Sequence, residues 1–348
     1  MSIQTPGRNE TGAPDVTPSL DEENRAYASL GPDDILDAVD SLGYLCDGRF
    51  LALNSYENRV YQVGIEGQPP LIAKFYRPGR WSDDAIREEH SFAQELLDQE
   101  IPVVAPLASA NGETLHRHNA FRFALFPRRG GRSPDLDNPA HLEQLGRYLG
   151  RIHTVSETKK FRFRPTLDIE HFGVDSYLYI LQHGLVPADL ETAYGTLAKE
   201  LIERVRHCYA RAHNVACIRL HGDCHPGNIL WRDDGPHIVD LDDARMGPPV
   251  QDLWMFLSGD REYMNARLGD VLAGYTDFRE FDARELHLIE PLRTLRMMHY
   301  AAWIARRWND PAFPLAFPWF GTGRYWEEHI LTLREQAALM DEPPLVWD

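Results

Sequence analysis

The sequence predicts an α+β fold of two lobes, a small β-rich one followed by a larger helical one. Three observations carry that reading. Short apolar, β-branched and aromatic runs, separated by polar turns, fill residues 50–126 around one helical stretch. The run Pro127-Arg128-Arg129-Gly130-Gly131-Arg132 is the clearest break in the ordered chain. From Pro139 onward apolar residues recur mostly at helical spacing. The boundaries read as a disordered tail over 1–30, a first lobe over 31–127 and a second over 128–348.

The tail is rich in Pro, Gly, Thr and acidic residues and has few large apolar groups to bury. Order begins at Gly31-Pro32-Asp33-Asp34, where Asp33 or Asp34 can cap a short helix ending near Leu42-Gly43. Strands are expected at Phe50–Leu53, Arg59–Gly64 and Leu71–Phe75, the first two joined by the polar turn Asn54-Ser55-Tyr56-Glu57-Asn58. Ser82 opens the helix SDDAIREEHSFAQELLDQE, which carries acidic residues in its first turn. Ile101–Leu107 and Phe121–Phe126 read as further strands. Helices follow over 139–154, 171–183, 187–213, 249–258, 261–275 and 283–308, with a short strand at His237–Leu241.

Composition narrows the function. Of 348 residues, 43% are hydrophobic and 26% charged, as in an ordinary globular protein. A net charge of −17 argues against a nucleic-acid-binding surface. The lysines are only Lys74, Lys159, Lys160 and Lys199, so the placement of each matters. Cys46, Cys208, Cys217 and Cys224 form no CxxC pair and point to neither a disulfide framework nor a zinc ribbon. The chain has no apolar run long enough for a membrane span and no signal-peptide plan at its start. A cytoplasmic protein is the expectation.

The chemistry concentrates in RLHGDCHPGNILW, residues 219–231. Asp223 and Asn228 are five apart, and Asp240 ends the apolar strand His237-Ile238-Val239 twelve residues on. That spacing is the phosphoryl-transfer pattern: an Asp to orient an attacking hydroxyl, then an Asn and a second Asp to hold the metal. Phosphates need cations, and hard oxygen donors hold those cations. Asp240, Asp242 and Asp243 lie within four residues and should raise one another's pKa. A zinc site on His221, Asp223 and His225 competes, but Pro226-Gly227 ends any strand there, and no matching half-site follows. A buried His221 bonded to the loop backbone, and a packed Cys224, are the simpler reading.

RLHGDCHPGNILW followed by HIVDLDDA resembles the catalytic and metal loops of the aminoglycoside phosphotransferase/choline kinase group, relatives of the protein kinases. LNSYENRVYQVG, LIAKFYRPGRWS and IREEHSFAQELL resemble more closely the N-lobe of a bacterial Ser/Thr protein-kinase branch of that group. PPVQDLWMFLSGD and EPLRTLRMMHYAAWIARRWNDPAFPLAFPWF extend the similarity, which covers about residues 29–345.

The resemblance implies a two-lobed protein-kinase-like fold, with ATP and Mg²⁺ between a nucleotide-binding first lobe and a second lobe carrying the catalytic and metal loops. It makes Asp223 and Asp240 the catalytic carboxylates, with Asn228 and Asp240 on the metal. Lys74 becomes the ATP lysine; inside an apolar strand it needs phosphate or carboxylate neighbours. Glu89 is its expected helix partner, with Glu88 the alternative. Ser55 and Asn58 fall in the nucleotide loop, Phe126-Pro127 at the adenine hinge, and Asp252 braces the catalytic loop.

The pattern also departs from the protein kinases. There is no GxGxxG loop, Gly222 replaces the arginine before the catalytic Asp, and no APE segment follows, so an always-assembled site is expected. The Trp- and Arg-rich stretch around Trp303, Arg306, Arg307, Trp308, Trp319 and Trp326 reads first as packing and second as an acceptor pocket. The acceptor implied is a Ser or Thr of a protein, with autophosphorylation and a role in stress response. A small alcohol of the aminoglycoside, choline or homoserine kind is the alternative. The implied partners are ATP and a protein substrate, with no nucleic acid or membrane, and the chain is expected to be a monomer.

Overall fold

Five short segments between Cys46 and Pro127 form an antiparallel sheet in the computed structural model, which describes residues 27, 29–233 and 235–347. They are β1 (Cys46–Ala52), β2 (Arg59–Ile65), β3 (Gln68–Phe75), β4 (His116–His118) and β5 (Phe121–Pro127), in the order β1-β2-β3-β5-β4. Strand periodicity splits this sheet into two faces. Val63, Ile65, Ala73, Phe75, Phe121, Phe123 and Leu125 pack under helix α1 (Pro32–Asp40), against Ile35, Ala38 and Val39. Lys74, paired with Val60 and Ala124, therefore points to the other face.

That other face receives helix α2 (Asp83–Asp98). Ser82 caps it as expected, its hydroxyl accepting from the Ala85 N–H at 3.1 Å. Farther along α2, Phe92, Ala93 and Leu96 enter the core of the second lobe, so this helix ties the two together.

The second lobe contains α3 (Pro139–Ser156), α4 (Asp175–Gln182), α5 (Glu191–Ala212), α6 (Arg261–Tyr275), α7 (Ile289–Arg306), α8 (Ala312–Ala316) and α9 (Gly323–Asp341). Glycines let α3 and α6 nearly touch: a Cβ on Gly274 would lie 1.9 Å from the Glu143 carbonyl oxygen. Two small hairpins carry the loops of interest. β6 (Ile218–Leu220) pairs with β9 (Arg245–Gly247), and β7 (Ile229–Arg232) pairs with β8 (Gly235–Ile238).

Several expectations change. The 1–30 tail lies outside the described residues except for Tyr27, Ser29 and Leu30. Tyr27 stacks on Phe121 at 6.4 Å and donates to the Phe75 carbonyl at 3.0 Å, so packing starts before Gly31. Ile101–Leu107 is not a strand, because Pro102 and Pro106 lack the N–H groups a ladder needs; Val103 alone bridges Ile238. Residues 249–258 form two 3₁₀ turns, Pro249–Asp252 and Trp254–Phe256. The segment from Ala283 also begins as a 3₁₀ turn; the α-helix starts at Ile289, where Pro291 sits in its first turn. A π turn, Glu170–Val174, precedes α4, and α5 opens at Glu191, not at 187. Helix α9 and the short strands β4, β6, β7 and β9 were not legible from periodicity.

Candidate active site

Asp223 sits on the loop between β6 and β7, held from behind by Asp252. The Asp252 carboxylate is fully buried and accepts the backbone N–H groups of His221 at 2.7 Å and Gly222 at 2.9 Å. Gly222 adopts φ +85°, and a Cβ there would lie 2.2 Å from the Asp243 carbonyl oxygen. That contact and the positive φ demand glycine where the protein-kinase H-R-D loop carries arginine. His221 ties this loop to the next, Nε2 donating to the Val239 carbonyl at 2.9 Å while Nδ1 accepts the Asp223 N–H at 3.4 Å. With both ring nitrogens engaged, His221 is scaffolding and not a zinc ligand. Cys224 is buried, and desolvation pushes its thiol well above its usual range, away from the thiolate a metal would need.

Asn228 donates its side-chain NH₂ to the Asp223 carbonyl at 2.9 Å, which leaves the amide oxygen as a ligand for the cleft. Asp240 has a left-handed backbone, φ 63°, and its side chain is 55% exposed to the cleft. An amide oxygen and an exposed carboxylate suit a hard divalent cation that takes its remaining ligands from phosphates and water. Among the described residues, no three His, Cys, Asp or Glu side chains converge on a metal position.

Lys74 reaches into this loop from β3. Its Nζ lies 3.1 Å from Asp240 Oδ1, 3.0 Å from Asp242 Oδ1 and 3.8 Å from Glu89 Oε1. Burial works against the ammonium, but Asp240, Asp242 and Glu89 outweigh it and hold its pKa well above the usual lysine range. Glu89 is shared, since its other oxygen pairs with the fully buried Arg164. Glu88 faces away and accepts the backbone N–H groups of Arg162, Phe163 and Arg164 at 2.7, 2.9 and 3.0 Å.

The acidic turn behaves contrary to expectation. Burial favours the protonated forms of Asp242 and Asp243, yet both are shifted downward, Asp242 to about 2. Arg80 bonds both carboxylates, Lys74 adds to Asp242, and Arg245 sits 2.5 Å from Asp243 Oδ1. Cations from three other segments override the mutual repulsion.

The Asn54–Asn58 turn is pinned to the second lobe. Glu57 accepts from Trp303 Nε1 at 2.5 Å and lies 2.7 Å from Arg307 and 3.1 Å from Arg77. Arg77 continues to Asp310 at 2.8 Å. Asn58 belongs to this scaffold: it is buried, and its side-chain oxygen accepts the Arg77 N–H at 3.1 Å. Ser55 lines the cleft, as does Phe126 near the end of β5. The cleft measures about 1110 Å³, and Leu53, Val60, Ile72, Val104, Leu230 and Val239 give it an apolar slot. Such a slot beside Lys74 and Asp240 fits a purine ring with its phosphates.

Sequence reasoning missed Arg80, Arg164 and Arg296, the last 2.5 Å from Asp223 Oδ1. The Trp- and Arg-rich stretch divides: Trp326 is core, Trp308 packs on Phe320, while Trp303, Arg306 and Arg307 line the cleft.

A two-lobed fold whose cleft gathers a buried lysine, a loop Asp–Asn pair and a second-loop Asp defines a phosphotransferase. The chain belongs to the phosphotransferase enzyme family, whose model matches residues 49–289. It is an ATP-dependent kinase. It is similar to stress response kinase A of Escherichia coli K12, 46% identical over 319 residues, 92% of this chain and 96% of that protein. A Salmonella typhimurium relative, named serine/threonine protein kinase RdoA, is 45% identical over the same shares. Among solved structures, an amicoumacin kinase bound to AMP-PNP and Ca²⁺ superposes with a TM-score of 0.67 at 19% identity, over 87% of this chain and 91% of that one. A choline kinase from Cryptosporidium parvum gives 0.57 at 10% identity, over 87% and 95%. These two show the shared fold. No helix among the described residues is long and apolar enough to cross a membrane.

Proposed function

We propose that the chain is a Mg²⁺-dependent Ser/Thr protein kinase that phosphorylates itself and protein targets in stress response. Asp223 accepts the proton of a Ser or Thr hydroxyl as its oxygen bonds to the γ-phosphorus of ATP, the bond to the β-phosphate oxygen breaks, and ADP leaves. Lys74 holds the phosphates and Glu89 helps to hold Lys74. Asn228 and Asp240 would hold Mg²⁺, which neutralises phosphate charge when bound. Ser55 lies where the phosphates would pass, and the backbone at Phe126 where adenine would dock. In this reading the chain acts as a monomer in the cytoplasm.

The observation that carries this reading is the convergence of Lys74, Asp223, Asn228 and Asp240 on one cleft. The names of the relatives at 45–46% identity favour a protein acceptor. The solved neighbours, an amicoumacin kinase and a choline kinase, bear the names of small-molecule kinases, which keeps a small alcohol as the second reading.

The test is incubation with γ-labelled ATP and Mg²⁺, alone and with a generic protein acceptor, beside Asp223→Ala. Label on protein Ser or Thr that the variant loses is the expected result. ATP consumption without protein label would move the reading to a small alcohol, and no turnover at all would end the catalytic assignment.

A further inference from the structure

The cleft is charged differently from the chain around it. Seven Lys or Arg and six Asp or Glu line it, in a protein of net charge −17. All six carboxylates have cationic neighbours: Glu57, Glu89, Asp223, Asp240, Asp242 and Asp243 each lie beside Lys74 or an arginine.

One face of α7 lines the cleft. Leu292, Arg296, His299, Tyr300, Trp303 and Arg306 repeat there at three- and four-residue spacing, the period of a single helix face. This face holds no acidic residue. Tyr300 and Trp303 stack at 5.6 Å, a flat aromatic platform between two arginines. One of them, Arg296, touches Asp223. The other, Arg306, lies over the Tyr179 ring at 5.2 Å. Among the described residues no carboxylate pairs with Arg306; Asp175, an acidic group that acts on it electrostatically, sits beside His171 instead. Arg306 is thus a half-buried cation in the wall of the cleft that forms no ion pair with a carboxylate among the described residues. Desolvating it costs free energy that an incoming anion would recover.

Resting on the kinase reading, we infer that this α7 face binds an extended acceptor peptide, with Arg306 pairing an anionic side chain of that peptide. Arg296 and Arg306 are ten residues apart in one helix, a rise of about 15 Å. An extended chain advances about 3.3 Å per residue, so the anion belongs about four or five residues from the Ser or Thr at Asp223. A carboxylate and a phosphorylated residue offer the same chemistry. A cationic acceptor would find no acidic side chain on this helix face, and the carboxylates that touch it, Asp223 and Glu57, already pair with Arg296 and Arg307.

The test uses the full chain, ATP and Mg²⁺ with synthetic peptides carrying one Ser and, at each flanking position in turn, Glu, phosphoserine or Gln. The wild-type protein should prefer an anion four or five residues away, with a KM about tenfold lower than for the Gln peptide, the order expected of a partly desolvated charge pair. The Glu and phosphoserine arms separate the two sources of negative charge. Arg306→Gln should equalise Glu and Gln peptides, Arg306→Lys should keep part of the preference, and Arg306→Glu should turn it toward Lys peptides. A merely structural role would slow all peptides alike. Peptides phosphorylated without an anion preference, or with a preference that survives Arg306→Gln, would overturn this inference and leave the protein-kinase reading standing. If no peptide is phosphorylated while ATP is still consumed, the protein-kinase reading fails and the inference with it.

Discussion

Removing the Asp252 carboxylate should damage stability and turnover together. The group is fully buried and holds two backbone N–H groups, His221 at 2.7 Å and Gly222 at 2.9 Å, with His153 Nε2 at 3.3 Å. Asp252→Ala strands both N–H groups in a dry site. Each orphaned donor costs roughly 1–3 kcal/mol, so a total of about 2–6 kcal/mol is expected for the two. Asp223, the proposed base, follows Gly222 directly, and a displacement of about 1 Å can cost on the order of a hundredfold in rate. Asp252→Asn keeps the shape and one acceptor oxygen but turns an NH₂ toward the second donor, so it should fall between wild type and Ala. Urea unfolding followed by tryptophan fluorescence gives the stability difference, and phosphate transfer at a temperature where both proteins are folded gives the rate. A stability loss below about 1 kcal/mol, or a kcat within about twofold of wild type, would refute the brace, because stranded buried donors cannot cost so little.

Two further perturbations follow from packing and charge. Gly274→Ala should destabilise by about 1–3 kcal/mol, since its Cβ would meet the Glu143 carbonyl oxygen at 1.9 Å and drive α3 from α6. Gly269→Ala on the same helix has open space and should stabilise by roughly 0.5–1 kcal/mol, so equal effects at both sites in thermal melts would refute the close-contact argument. Burial raises Glu285 from 4.5 to about 7, against its hydrogen bond from the Val250 N–H and the charge of Arg279. The folded state then binds more protons than the unfolded state between those values. Stability should therefore fall as pH rises from about 4.5 to 7, by an amount on the order of 3 kcal/mol. Glu285→Gln retains an acceptor for Val250 and should flatten that slope; an unchanged slope in denaturant titrations across this window would exclude Glu285 as its source.

Legibility followed distance along the chain. Asp223, Asn228 and Asp240 could be read as a set because a loop and a neighbouring hairpin set their separations locally. Lys74 stood out because an ammonium inside an apolar strand needs partners. Glu88 and Glu89, adjacent on one helix, could not be separated by pattern; their neighbours distinguish them, Glu88 on the 162–164 backbone and Glu89 between Lys74 and Arg164. Prolines explain two of the misread segments: Pro102 and Pro106 break the apparent strand, and Pro291 places the start of α7.

By itself the sequence determined the two-lobed class, the Asp223–Asn228–Asp240 spacing and the polar turn between the first two strands of the sheet, all properties of nearest neighbours along the chain. Only the tertiary structure decided the charges. Arg80 reaches Asp242 across 162 residues of chain, and Lys74 reaches Asp240 across 166. At Asp242 and Asp243, which Arg80 bonds together, such contacts reverse the upward pKa shift that an isolated acidic turn would show. The turn that would cover the phosphates is likewise fixed from afar, by Trp303 and Arg307 on Glu57. Coulombic and hydrogen-bond terms depend on separation in space, and a linear pattern of residue types holds that separation only within a turn or a strand.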